Sequence, residues 1–140
     1  MPVTKPEGYS QTPLSKKLGI KEGQKCLIIN TPQNYLDLLF PIPEGVKFTI
    51  TPRDREYEFI HIFISTYSEL DRHWDQLQDV LAKNGSLWIS HPKGSSKLSK
   101  DINQNQIREY GLIKGLVDVK VCAIDHDWSG LKFMYRKKDR

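Results

Sequence analysis

Two short, largely apolar runs constrain the fold of this chain more than any other feature: residues 26–30 (CLIIN) and residues 57–65 (YEFIHIFIS). Strands that are apolar on both faces are typical of parallel sheets, which helices cover on each side. A helical pattern follows each run. Pro32 opens the first helix, and the second, residues 67–82, carries Trp74 on an apolar stripe and ends at Asn84-Gly85. This alternation predicts an α/β domain with a parallel sheet and right-handed crossovers.

The remaining pattern completes the sheet. Strands are predicted at residues 46–50, 86–90, 117–124 and 131–136, and further helices at residues 13–18 and from Ser99 or Asp101 to Tyr110, where Gly111 is the expected stop. The connector between the last two strands is too short for a crossover helix, so these strands are expected to form an antiparallel hairpin. The resulting fold class is α/β: a three-layer, Rossmann-like, mostly parallel sheet with a C-terminal antiparallel β-hairpin. Numbered along the chain, the expected strand order is 2-1-3-4-6-5.

Length and composition favour one domain. The chain has 140 residues, 38% of them hydrophobic, which is enough for one packed core. We expect a flexible lead-in at residues 1–10, a single domain at residues 11–136 and a basic tail at residues 137–140. No run approaches the roughly 18 apolar residues of a membrane span, and the polar N-terminus does not resemble a secretory signal. Two cysteines in predicted strands, Cys26 and Cys122, favour free buried thiols and a cytoplasmic location.

The charge balance is mildly basic, with a formal net charge of +4. The basic residues form three groups along the chain: Lys16, Lys17, Lys21 and Lys25; Lys93, Lys97 and Lys100; and Arg136, Lys137, Lys138 and Arg140. Binding to nucleic acid requires basic residues concentrated on one surface. Solvated loops and chain ends explain separate groups more often than a partner does, so we do not expect nucleic acid as a partner.

Residues 81–90 (LAKNGSLWIS) resemble the second half of a class I methyltransferase domain, in which a helix and a small-residue turn lead into a strand beyond the cofactor cleft. Residues 8–21, 115–122 and 128–132 are more specific. They are similar to a family of short bacterial proteins described only as a domain of unknown function. The resemblance covers most of the chain and implies a truncated class I methyltransferase-like Rossmann fold. It implies no established activity.

The chain departs from the methyltransferase pattern where that pattern binds its cofactor. The first strand runs into residues 30–34 (NTPQN), which contain no glycine, although cofactor-binding turns of this class need glycine for close approach of the backbone. No acidic residue ends the second strand at residues 50–52, and about one βα unit is missing before Tyr57. We therefore expect no S-adenosylmethionine cofactor. The leading hypothesis is a degenerate methyltransferase-like fold with a non-catalytic, regulatory or binding role.

The loop at residues 91–97 (HPKGSSK) is the first candidate site. It follows the carboxyl end of a predicted parallel strand, where open α/β sheets bind their ligands. Its ligand-binding candidates are His91, Lys93, Ser95, Ser96 and Lys97. Hydroxyl and ammonium groups beside a helix N-terminus can bind an anion. The alternative functional hypothesis is therefore a small enzyme or binder of an anionic, nucleotide-like ligand, and the structural interpretation is a solvated loop.

The secondary candidates lie in the connector of the hairpin: Asp125, Asp127 and Trp128. A histidine between two carboxylates, as His126 is, can act as a base or metal ligand. However, neighbouring residues of a strand point in opposite directions, and no second histidine or cysteine lies at ligand spacing. Aspartates are also common in turns, where they bind backbone amides, so we favour a turn and expect no metal. His61, inside an apolar strand, is expected in the core.

Overall fold

One six-stranded sheet organises residues 12–140, which are the residues that the computed structural model describes. The strands are β1 (Lys25–Ile29), β2 (Lys47–Thr49), β3 (Tyr57–Phe63), β4 (Leu81–Pro92), β5 (Leu116–Ala123) and β6 (Trp128–Tyr135). The helices are α1 (Leu14–Leu18), α2 (Tyr35–Leu39), α3 (Tyr67–Val80) and α4 (Gln104–Ile113), followed by a 3-10 turn at Lys137–Asp139. The predicted lead-in at residues 1–10 lies outside the described residues.

The strand order is β2-β1-β3-β4-β6-β5, as the sequence predicts. Strand β1 pairs in parallel with β2 and β3, and β3 pairs in parallel with β4. Strand β6 lies antiparallel between β4 and β5. The predicted α/β fold class, a mostly parallel sheet with a terminal antiparallel hairpin, is therefore confirmed.

Side chains alternate between two hydrophobic clusters on opposite faces of the sheet. Leu27 and Ile60 face the cluster that includes α3 and α4, whereas Cys26 and Phe59 face the cluster that includes α1 and α2. This period of two follows from the strand geometry and explains why the central strands are apolar throughout. Trp74 of α3 is fully buried, as its position on the apolar stripe predicts. No helix in residues 12–140 is both long and apolar enough to cross a bilayer.

The start of α4 differs from the sequence prediction. The sequence predicts Ser99 or Asp101 as the cap, but Asn103 caps the helix. Its side chain accepts a hydrogen bond from the Gln106 amide (3.0 Å), and the Gln106 side chain accepts one from the Asn103 amide (2.9 Å). Such a reciprocal capping box satisfies two backbone donors. The Asp101 carboxylate instead accepts the Tyr67 amide at the start of α3 (2.8 Å).

Two glycines that the sequence assigns to helix ends serve close packing instead. Gly111 lies within α4, and a β-carbon there would come within 2.2 Å of the Phe133 ring. Gly85 lies within β4, where a β-carbon would come within 2.8 Å of the Tyr57 carbonyl oxygen. Helix α3 ends at Val80, and Leu81 pairs with Tyr57 of β3; regular pairing resumes at Ser86, opposite Phe59. The stop prediction at Gly111 is wrong because the Phe133 ring, in a distant segment, requires this glycine, whereas Gly85 approaches both the distant Tyr57 and its near neighbour Ala82.

Candidate functional site

Open α/β sheets bind ligands at the carboxyl ends of their parallel strands, which here include the ends of β1 and β3. After β1 the backbone takes a positive φ of 58° at Asn30, and α2 begins at Tyr35 rather than at Pro32. The Tyr35 side chain is 2% exposed and packs edge-on against Phe63, with ring centroids 5.6 Å apart. The connection between β1 and α2 is thus anchored to the sheet by an aromatic side chain.

The end of β2 offers no carboxylate. Ile50, directly after the strand, is 73% exposed. The next acidic residue along the chain, Asp54, forms an ion pair with Lys25 at 3.0 Å. Since Lys25 is the first residue of β1, this carboxylate lies at the amino end of β1, away from the edge where a cofactor of this fold class would bind.

A buried chain of hydrogen bonds crosses the sheet beneath α2. The Tyr35 hydroxyl lies 2.8 Å from His61 Nδ1, and His61 Nε2 lies 2.6 Å from Ser90 Oγ. His61 and Ser90 are fully buried, and burial lowers the pKa of His61 to about 3. The imidazole is neutral and inaccessible to a substrate, so the arrangement is structural. It confirms that His61 belongs to the core, while its two partners have no signal in the sequence.

A cleft of about 630 Å³ opens at the carboxyl end of β4, beside the first turn of α4. Its polar lining includes His91, Lys93, Lys100, Asn103, Gln104 and Ser129. Strand β6 contributes Ser129, which lies directly opposite His91 in the antiparallel pairing. Two strands and a helix start thus converge on one cavity.

His91 is the unusual group in this lining. Its side chain is buried, with 5% exposed, and Nδ1 donates a hydrogen bond to the Pro92 carbonyl oxygen at 3.0 Å. Its Nε2 is the only buried side-chain nitrogen or oxygen in residues 12–140 without a hydrogen-bond partner. Burial lowers the pKa of His91. Because Nδ1 holds the proton, Nε2 of the neutral ring is a buried acceptor without a partner in residues 12–140.

Positive charge and free amides lie on the helix side of the cleft. The capping box uses the amides of Asn103 and Gln106, while those of Gln104 and Asn105 find no partner within residues 12–140. The Lys100 ammonium group donates to the carbonyl oxygens of Ser96 (2.8 Å) and Leu98 (3.2 Å), so its position is fixed without neutralising its charge. Such a helix start is suited to an anion.

Only some of the candidate residues in the loop at residues 91–97 line the cleft. His91 and Lys93 line the cleft, but Ser95 and Lys97 are exposed and lie outside its lining. Ser96 Oγ donates to the Asp127 carboxylate at 2.8 Å and accepts the Leu98 amide at 3.1 Å. Ser96 therefore shapes the loop.

The two predicted sites are parts of one structure. The Lys93 amide donates to the Asp127 carbonyl oxygen at 2.7 Å, which joins the loop after β4 to the connector of the hairpin. The Asp125 carboxylate accepts the amides of Asp127 (2.8 Å) and Trp128 (2.9 Å), as in an aspartate-stabilised turn. Trp128 packs edge-on against Phe63, with centroids 5.0 Å apart. These contacts agree with the turn interpretation of the connector.

Sequence reasoning missed the other half of the cleft, formed by Lys100, Gln104 and Ser129. The motif N-x-x-Q at residues 103–106 is a capping box and could have located the start of α4. The position of Ser129 depends on the register between β4 and β6, and the sequence contains no signal for that register.

Comparison with protein-family models and with curated proteins found no match. Solved structures do match. A SAM-dependent methyltransferase from Aquifex aeolicus is 16% identical with a TM-score of 0.56, covering 86% of this chain and 87% of that one. DhpI, solved with SAH, is 9% identical with a TM-score of 0.61, covering 89% and 83%. A TehB-like SAM-dependent methyltransferase from Corynebacterium glutamicum is 12% identical with a TM-score of 0.54, covering 82% of each chain.

At these identities the likeness concerns the fold. The chain has the class I methyltransferase-like, Rossmann-like fold, as its resemblance at residues 81–90 implies. The arrangement of side chains at the ends of β1, β2 and β4 must decide what the fold is used for.

Proposed function

We propose that this chain is a binding protein on a class I methyltransferase-like fold and that it does not use S-adenosylmethionine. The residues at the end of β1 do not fit that cofactor. Between Asn30 and Asn34 no glycine allows close approach of the backbone, and Pro32 lacks an amide proton. The end of β2 also lacks the carboxylate that would bind ribose hydroxyls, since Asp54 pairs with Lys25 at the amino end of β1.

The ligand that we propose is a small phosphate-bearing molecule with hydroxyl groups, such as a nucleotide, bound in the cleft at the end of β4. One observation carries this proposal: the buried Nε2 of His91 lacks a partner in the lining of that cleft. An unsatisfied buried polar atom costs about 1–3 kcal/mol. Because Nε2 is itself buried, a bound hydroxyl or amine would recover this cost through a movement of the His91 ring toward the cleft. The volume of about 630 Å³ lies within the usual range of small-molecule sites.

The two ends of such a ligand have separate partners. The free amides of Gln104 and Asn105, with Lys93 and Lys100, are suited to a phosphate. The neutral His91 ring is suited to a hydroxyl or amine donor, because Nδ1 already donates to the backbone. Asp101, the acidic residue of the lining, accepts the Tyr67 amide, so its carboxylate is engaged beside α3.

The alternative is an enzyme that acts on the same ligand with His91 as a base. Ser129 lies opposite His91 and also lines the cleft, so Ser129 would be the nucleophile nearest to this base along the strand pairing. No hydrogen bond joins these two side chains among the described residues, and His91 Nε2 is unpaired. A base must be within hydrogen-bond reach of its nucleophile. This geometry favours binding over catalysis.

Titration calorimetry with ADP, inorganic pyrophosphate and S-adenosylmethionine tests the proposal. We expect saturable binding of ADP or pyrophosphate, and a raised melting temperature because either ligand binds the native state. S-adenosylmethionine should give no saturable binding in the micromolar range. Stoichiometric micromolar binding of S-adenosylmethionine would overturn the first part of the proposal.

A matched pair of variants tests the location. Lys93→Ala removes a cation from the lining of the cleft, whereas Lys97→Ala removes an exposed one outside it. A charge-assisted hydrogen bond contributes about 1.5–3 kcal/mol, so Lys93→Ala should weaken ADP binding roughly tenfold or more. Lys97→Ala should retain the affinity of the wild type. Equal affinities of the two variants would exclude this cleft.

A further inference from the structure

Five cations from separate parts of the chain lie near one another on one face of the molecule: Lys17, Lys21, Lys120, Lys132 and Arg140. We call this the basic face. Lys120 of β5 and Lys132 of β6 are directly opposite each other in the antiparallel pairing. The Lys120 ammonium group donates to the Lys17 carbonyl oxygen at 2.9 Å. Lys132 Nζ lies 3.8 Å from where a β-carbon on Gly19 would be, at the end of α1.

The basic face has no acidic partner within residues 12–140. The ion pairs within residues 12–140 use other cations, namely Lys25, Arg55, Arg108 and Lys114. Like charges directly opposite on neighbouring strands destabilise a sheet, so the pair of Lys120 and Lys132 costs stability in the free protein. Burial, and then the charges of Lys120, Lys21 and Arg140, lower the pKa of Lys132. These groups would be stabilised together by an anion that spans them.

A β-bulge keeps Asp118, the one carboxylate of strands β5 and β6, away from this face. Asp118 pairs with Phe133 and Lys120 with Lys132, so Val119 is an extra residue in β5. Without a bulge, residues two apart on a strand point to the same face. The bulge turns Asp118 toward α4, where it pairs with Arg108 at 2.9 Å. Bulges commonly re-aim side chains, and this one separates a carboxylate from the basic face.

We propose that the basic face binds the phosphate backbone of double-stranded nucleic acid without reading its sequence. The sequence places the basic residues in separate groups, but the fold brings two residues of the first group and one of the last together with Lys120 and Lys132. Single-strand binding uses exposed aromatic side chains, and the exposed large apolar residues of α1, β5 and β6 are Val119 and Val121, neither of which is aromatic. Val121 pairs with Leu131, whose side chain belongs to the cluster on the opposite side of the sheet, so Val121 does not anchor the basic face in a membrane.

Fluorescence anisotropy with a labelled duplex, at salt concentrations between about 0.05 and 0.2 M, tests this proposal. The test variant is Lys120→Gln with Lys132→Gln, and the control is Lys47→Gln with Lys97→Gln, which removes the same charge from exposed positions elsewhere. Each neutralised phosphate contributes about 0.9 to the slope of log affinity against log salt. The test variant should therefore lower that slope by about 1.8 and bind at least tenfold more weakly at the lowest salt. The control should behave as the wild type does.

A second variant guards against misfolding. Lys21 and Arg140 are both exposed, so Lys21→Gln with Arg140→Gln should leave the melting temperature unchanged and still weaken duplex binding. Polyglutamate and phosphatidylserine vesicles serve as alternative polyanions. The proposal is overturned if wild-type protein binds no duplex at the lowest salt, if the control loses as much affinity as the test variants, or if either alternative polyanion binds more tightly than the duplex.

Discussion

Acidification should destabilise this protein through His61. The side chain is fully buried, and its two ring nitrogens are hydrogen-bonded to Tyr35 and Ser90. Its other ring neighbours include Phe63, stacked with centroids 4.4 Å apart, and no charged group contributes to its titration. Burial alone lowers the pKa of His61 to about 3. The imidazole therefore stays neutral in the folded protein at a pH where it is charged in the unfolded chain.

The size of this effect follows from the two pKa values. In the unfolded chain the imidazole has its ordinary pKa of about 6.5. Above that pH both states are neutral and His61 has no pH-dependent effect. Below it the unfolded state binds one more proton, so the free energy of unfolding falls by about 1.4 kcal/mol per pH unit until the folded pKa is reached. At pH 4.5 the loss attributable to His61 is about 2.7 kcal/mol.

Urea denaturation at several pH values, with the wild type and His61→Gln, measures this loss. Glutamine does not titrate but can hydrogen-bond to the hydroxyls of Tyr35 and Ser90. Other titrating groups, such as His91, are common to both proteins and cancel in the difference. The wild type should lose about 2.7 kcal/mol more than the variant between pH 7.5 and 4.5. A difference in stability that does not change with pH would refute the reasoning. If the variant does not fold, an NMR titration of His61 in the wild type tests the same reasoning. A pKa near 6.5 would contradict burial of the neutral ring.

Two further predictions concern packing and the cysteines. Gly111→Ala should destabilise the protein by about 1–3 kcal/mol in thermal or urea unfolding, because the added β-carbon would collide with Phe133. The control Gly94→Ala, whose β-carbon would meet open space, should change stability by less than about 0.5 kcal/mol. Equal effects of the two substitutions would contradict the packing of α4 on β6. Cys26 and Cys122 should both be alkylated under denaturing, non-reducing conditions, as mass measurement will report. They are free and lie four strand spacings apart, roughly 19 Å, beyond the roughly 7 Å of bridged cysteines, so a disulfide between them would contradict the strand order.

The parallel centre of the sheet and its antiparallel end could be predicted because both depend on local patterns. Residues 26–30 and 57–65 are apolar enough to require cover on both faces, which indicates parallel central strands. The four residues between Ala123 and Trp128 are too few for a crossover helix, which indicates an antiparallel hairpin. His61 was expected in the core because apolar residues flank it. Each of these inferences needs only neighbours in sequence.

Features that depend on register between distant segments could not be predicted. Gly85 and Gly111 resemble helix stops in sequence, yet the Tyr57 carbonyl group and the Phe133 ring require them. The same holds for the cleft, since Ser129 reaches it only through the register of β4 and β6. The sequence could not show which polar side chains of the loop at residues 91–97 line the cavity, because that depends on the path of the loop beside α4.

Amide chemical-shift mapping by NMR, with pyrophosphate and S-adenosylmethionine added separately, tests the central claim most directly. The claim is that this protein binds its ligand in the cleft at the end of β4 and does not bind S-adenosylmethionine at the end of β1. Pyrophosphate should shift the amides of Lys93, Gly94, Gln104 and Asn105 in a saturable way, while S-adenosylmethionine should leave residues 30–34 unchanged. Saturable shifts at residues 30–34 with S-adenosylmethionine, and none around the cleft with pyrophosphate, would contradict the account.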